Sequence, residues 1–158
     1  EFISRDGNEP MTGELEEFTC WENQVAMLMC FHRLGYKNII ASDIDDLRTA
    51  DIPIVFKGTD FITIKLICSD LQQIQEQMRN RPNNGLIDFE LQQKMNEKNI
   101  KRNPLINEVE IDVPGKSIRE VFERAVNIID TVPSCFDYEY IKPPREMFYS
   151  WVFANGLR

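Results

Sequence analysis

Apolar and polar positions alternate along this chain in two rhythms, and the switches between them lay out its elements. Trp21, Val25, Leu28 and Met29 fall at helical spacing, the mark of an amphipathic helix. Thr19-Cys20-Trp21-Glu22 reads as its capping box, with Thr19 as N-cap and Glu22 reaching back. Gly35 is placed to end that helix in a left-handed cap. Asn38 to Ser42 follows as a buried strand candidate closed by Asp43, and Asp45 to Ala50 as a short helix before Pro53. Phe61 to Cys68 is the clearest strand. It is long, β-branched and nearly all apolar, as expected of a strand covered on both faces.

A second capping box, Ser69-Asp70-Leu71-Gln72, opens a helix with Leu71, Ile74 and Met78 on one face, running to Arg79-Asn80-Arg81-Pro82. Asn83-Asn84-Gly85 predicts a turn. Asp88 can cap a helix reaching about Lys101, too hydrophilic for a core element and so read as a surface or mobile segment. Glu108 to Asp112 predicts a short last strand, and Val113-Pro114-Gly115-Lys116 a turn. A third capping box, Ser117-Ile118-Arg119-Glu120, opens a helix with Val121, Phe122, Ala125, Ile128 and Ile129 on one face. Ahead of all this, Phe2-Ile3-Ser4 is a short apolar start and Asp6 to Gly13 a loop. The order of elements predicts an α/β domain over residues 1–132, built on a three-layer parallel sheet. After Pro133 the character changes to a tail, residues 133–158, holding Phe136, Tyr138, Tyr140, Phe148, Tyr149, Trp151 and Phe153, with a short helix over Glu146 to Phe153. Packed, this tail covers the domain; exposed, it is a partner or self-association surface.

Bulk properties narrow the classes. A chain of 158 residues suits one domain. A net charge of −8 argues against general nucleic-acid binding, which needs clustered Lys and Arg. No apolar run approaches the roughly 20 residues of a membrane span. Cys20, Cys30, Cys68 and Cys135 form no C-x-x-C and there is one histidine, His32. Buried reduced thiols and a cytoplasmic location fit this better than a zinc site or a disulfide framework. A hydrolytic triad has no Ser or Cys elbow to build on.

Candidate chemistry gathers at the predicted strand ends. Gly115-Lys116-Ser117 imitates the end of a Walker loop, but the position five residues before Gly115 is Glu110, whose carboxylate repels phosphate. It reads as a turn plus a helix cap, and no window of the sequence contains G-x-x-x-x-G-K-[ST]. Arg79 and Arg81 close a helix, where cations suit the dipole. They also stand where an arginine can reach a transferring phosphoryl group. Lys101 and Arg102 either close over the same anion or form a solvated turn. Asp43 ends a strand, a position that serves magnesium or a substrate hydroxyl, and Asp6 ends the first apolar stretch in the same way.

Three segments together, Asn38 to Asp43, Phe61 to Arg81 and Glu108 to Asp130, resemble the later half of P-loop small-molecule kinases of shikimate-kinase-like, adenylate-kinase-like and chloramphenicol-phosphotransferase-like type. Ile67-Cys68-Ser69-Asp70 matches that group's strand end, Arg79-Asn80-Arg81 its R-x-R helix end, and Glu110-Ile111-Asp112 its last strand. The resemblance implies an ATP-dependent phosphotransferase using Mg2+ and a small acceptor. Arg79 and Arg81, with Arg102, would meet ATP phosphates, and Asp112, Val113 and Pro114 would sit beside adenine. Asp6 and Asp43 would face the acceptor and magnesium. The family's central first strand and its Walker loop have no counterpart in the sequence, which leaves a slot beside the Phe61 strand. A polypeptide without them is expected to be inactive by itself. The alternative is a non-catalytic α/β nucleotide- or protein-binding module.

Overall fold

The computed structural model describes residues 13–42, 44–80 and 88–150. The chain divides into two compact units, Glu1–Asp51 with Tyr149–Arg158, and Ile52–Phe148.

In the first unit, helix α1 spans Gly13–Arg33. It starts ahead of the predicted cap because Glu14 and Glu16 favour a first turn at a helix N-terminus. Thr19 therefore lies inside the helix, and its hydroxyl donates to the Leu15 carbonyl at 2.7 Å instead of capping. Trp21 is the buried residue of α1. The helix ends as predicted at Gly35 (φ +82°). Gly35 N–H donates to His32 O at 3.0 Å and Tyr36 N–H to Phe31 O at 3.1 Å. The Phe31 and Tyr36 rings meet edge to face at 5.3 Å, the apolar contact that completes such a double closure. Helix α2, Asp46–Thr49, is capped by Asp45, whose carboxylate accepts from Leu47 N–H. Arg48 ties α2 to Glu17 of α1 at 2.6 Å. Asn38 to Ser42 forms no strand among the described residues, which corrects the sequence expectation. Asn38 turns into the left-handed region (φ 57°), Ile40 is 81% exposed, and no strand among the described residues supplies a ladder.

The second unit opens with helix α3, Ile52–Val55. Strand β1, Thr63–Ile67, leads through helices α4, Leu71–Arg79, and α5, Phe89–Lys101, to strand β2, Glu108–Asp112. β1 and β2 pair in parallel, Thr63 opposite Glu108 and Ile67 opposite Asp112. This is an α/β arrangement, but the described residues build a two-stranded sheet and not the three-layer parallel sheet that was expected. Lys65 and Ile67 are buried while Leu66 between them is 56% exposed, so β1 is covered on one face rather than two.

Helix α5 is more than a solvated segment. Asn96 is buried, accepting from Cys68 N–H at 3.2 Å and donating to Cys68 O at 2.6 Å. Its carboxamide thus serves the backbone groups of Cys68, the residue just past β1, as a neighbouring strand would. The Lys65 ammonium is held by Glu110 at 2.8 Å and donates to the Asn99 carbonyl at 2.9 Å, close to the negative end of α5.

Helix α6, Ile118–Thr131, carries the predicted capping box in full. Its apolar residues split between two faces. Ile128 is buried, whereas Phe122 is 66% and Ile129 51% exposed. The tail then straps this unit. Ser134 Oγ donates to Phe61 O at 3.1 Å, Asn107 and Cys135 exchange two hydrogen bonds, and the Tyr138 hydroxyl donates to Pro53 O at 2.6 Å. Burial, with the nearby Cys135 thiol, pushes the Tyr138 phenol above its usual range. Arg145–Met147 is a 3-10 turn and Phe148–Ser150 is not helical, so the predicted helix from Glu146 does not form over its described part. Pro143 and Pro144, just before it, remove backbone donors.

Candidate functional site at the sheet edge

Because β1 and β2 run parallel and end together, the loops after them share one edge, the side on which parallel α/β sheets bind ligands. After β1 the chain turns through Cys68-Ser69-Asp70 into α4. Ser69 donates twice to the Asp112 carboxylate, N–H to Oδ1 at 2.9 Å and hydroxyl to Oδ2 at 2.5 Å. Asp112 therefore clamps the two strand ends together. Asp70, and not Ser69, caps α4, accepting from the N–H groups of Gln72 and Gln73. The predicted box is displaced by one residue because Ser69 is engaged with Asp112.

After β2, Val113 N–H extends the ladder to Ile67 O at 2.9 Å. Pro114 and Gly115 then occupy the centre of a turn closed by Lys116 N–H to Val113 O at 3.1 Å. Gly115 has φ +68°, which a type II turn requires at that position. Gly115 N–H donates to Gln73 Oε1 at 3.1 Å, tying the turn to α4. Lys116 Nζ donates to the Asp112 carbonyl at 2.6 Å. Glu120, at the start of α6, accepts from Ser117 N–H at 2.7 Å, and this bond holds its carboxyl below the usual range.

Between α4 and the Pro114-Gly115 turn lies an open hollow of about 530 Å3, lined by Asp70, Gln73, Glu76, Gln77, Asn80 and Gly115 among others. Its described lining carries carboxamides and two carboxylates and no cation. It suits a neutral polar group and repels phosphate.

The sequence-predicted residues fall in three places. Asp112, Val113 and Pro114 meet at this edge, and Arg79 is exposed in the last turn of α4, next to Asn80 of the hollow. Arg81, Asp6 and Asp43 lie outside the described residues. Arg102 is corrected: it is not an anion clamp at the edge but a buried core residue. Its fork meets Glu108 through two bonds of 2.8 Å, and its guanidinium lies 5.1 Å from the Phe148 ring centre. Lys101 stays exposed beside Glu97.

Sequence reasoning missed Gln73, Gln77 and Asn80. Their only signal was a polar repeat of four and three residues on the side of α4 that flanks Ile74. Among the described residues no group of three His, Cys, Asp or Glu side chains converges to hold a metal ion. Comparison with protein-family models, with curated proteins and with solved structures finds no match for this chain.

Proposed function

We propose that this chain carries the adenine-binding part of an ATP-dependent phosphotransferase acting on a small acceptor. One observation supports the reading above others. The hollow lies between α4 and the Pro114-Gly115 turn, beside the residues that the kinase resemblance assigns to adenine. In this reading Asp112 fixes the strand ends, and Val113 and Pro114 flank the base. Arg79 and Arg81 neutralise charge on the phosphoryl oxygens during in-line transfer. Magnesium and acceptor are assigned to Asp43 and Asp6 by the resemblance alone. With no Walker lysine or amide nest in the sequence, the 158-residue polypeptide is expected to bind adenine nucleotide without turning it over.

The test compares ATP with adenosine on the Arg79→Ala protein. Calorimetry should show ATP affinity reduced several-fold, about the loss of one charge-assisted hydrogen bond, with adenosine affinity unchanged. Equal ATP binding by both proteins contradicts the role of Arg79, and ATP turnover by the polypeptide contradicts its expected inactivity.

A second reading, a partner-binding module, is favoured by the outward apolar face of α6, where Ile118, Phe122 and Ile129 are exposed. The tail aromatics Tyr138 and Phe148 are buried instead.

A further inference from the structure

We propose that the outward apolar stripe of α6 pairs with the same stripe on a second copy of this chain, the two helices running antiparallel. This rests on the partner-binding reading and names the partner; it does not depend on the nucleotide reading. α6 packs on β2 and buries Ile128. At about 100° per residue, Ile118, Phe122, Val126 and Ile129 fall within about 80° of arc, to one side of that buried face. All four are exposed, Ile118 at 91%. The apolar arc of α6 is therefore wider than the sheet covers. Scattered exposed apolar residues are ordinary, but a continuous stripe along a whole helix marks a contact surface.

The charges beside the stripe select its occupant. Arg119 and Asp130 lie on one edge, within about 40° of arc beyond Val126. Arg119 stands in the first turn and Asp130 in the last. A parallel pair sets like charges against each other. An antiparallel pair brings Arg119 of each copy to Asp130 of the other, twice. The two charges and the stripe share nearly the same midpoint along the helix, so one two-fold axis seats both. Glu123, on the same edge, is answered within α6 by Arg119 Nε at 2.8 Å, which leaves the other guanidinium donors for a second carboxylate. Asp130 makes no hydrogen bond or ion pair with a described residue. The opposite edge, Ala125 and Ile128, is uncharged. Such an interface closes at two copies. One helix pair is at the small end of specific interfaces, so the dimer is weak and depends on concentration.

Sedimentation of the 158-residue protein from about 10 μM to about 1 mM, the range of a weak pair, should show monomer passing to dimer and no larger species. Phe122→Ser with Ile129→Ser should abolish the dimer while circular dichroism stays that of the parent. Asp130→Arg should weaken it about five-fold, the scale of two exposed ion pairs lost, and adding Arg119→Asp should restore it. A monomer across the whole range overturns the proposal, as do open-ended oligomers. So does a dimer that survives Phe122→Ser with Ile129→Ser, or a charge swap that fails to restore pairing. If the protein stays monomeric and the two serines leave its melting temperature unchanged, self-pairing falls and the partner-binding reading stands. If it stays monomeric and they lower the melting temperature, the stripe is covered within one chain and both fall.

Discussion

Arg102 and Glu108 face each other with both side chains almost wholly buried, and at this scale they dominate the energetics. Two charges removed from water are tolerated because the fork is bidentate, Leu105 N–H donates to Glu108 Oε2 at 2.8 Å, and Phe148 covers the guanidinium. Removing one partner strands the other. Arg102→Met and Glu108→Gln should each lower the free energy of unfolding by about 3–5 kcal/mol, whereas replacing both with apolar residues should restore most of it. Urea denaturation of the three variants checks this; a loss below about 1 kcal/mol for either single variant, the level of an exposed pair, contradicts it. The pair was not legible in the sequence. Arg102 follows a hydrophilic helix and looks solvated, and its partner lies across a loop while its aromatic cover is Phe148, far along the chain. Asp88 and Ser117 were legible as caps, because a cap bonds to backbone two or three residues away.

Elements whose limits depend on local bonds were read well, and those that need a distant neighbour were not. β2 and α6 occupy the residues the sequence predicted, the second with its reciprocal Ser117–Glu120 box. Thr19 and Ser69 carry the same motif, yet one lies within a longer helix and the other serves Asp112. Asn38 to Ser42 has the composition of a strand without a strand beside it. The working box on α6 has a pH signature. Ser117 N–H lowers the Glu120 pKa in the folded state, so its stabilising contribution is present above the unfolded carboxylate pKa and is lost as pH falls through the lower folded value. Glu120→Gln should therefore melt below the parent at neutral pH, and the gap should close as pH falls below the ordinary carboxylate range. Thermal melts of both proteins across that range check the sign; a gap that widens in acid contradicts it.

For the whole molecule, what matters is which edges of the sheet are engaged. Thr63 N–H donates to Asn107 O and Val113 N–H to Ile67 O. Thr63, Lys65 and Ile67 therefore turn their backbone groups toward β2, and Ile64 and Leu66 turn theirs the other way. Among the described residues no strand pairs with that second side, where the Asn96 carboxamide serves Cys68 alone, and a two-stranded sheet is marginal without helices or a further strand. The parallel order and the shared edge were legible from the alternation of strand and helix. The hollow was not, since it forms where Gln73 of α4 meets Gly115, a contact between residues 42 apart. The most direct test is a Mg-ATP titration of the 158-residue protein followed at each backbone amide by NMR. Shifts concentrated at Ser69, Asp112 to Gly115 and along Gln73 to Asn80 are predicted. A saturating titration that moves none of these amides, or that moves only residues of α1 and α6, contradicts an adenine nucleotide at the sheet edge.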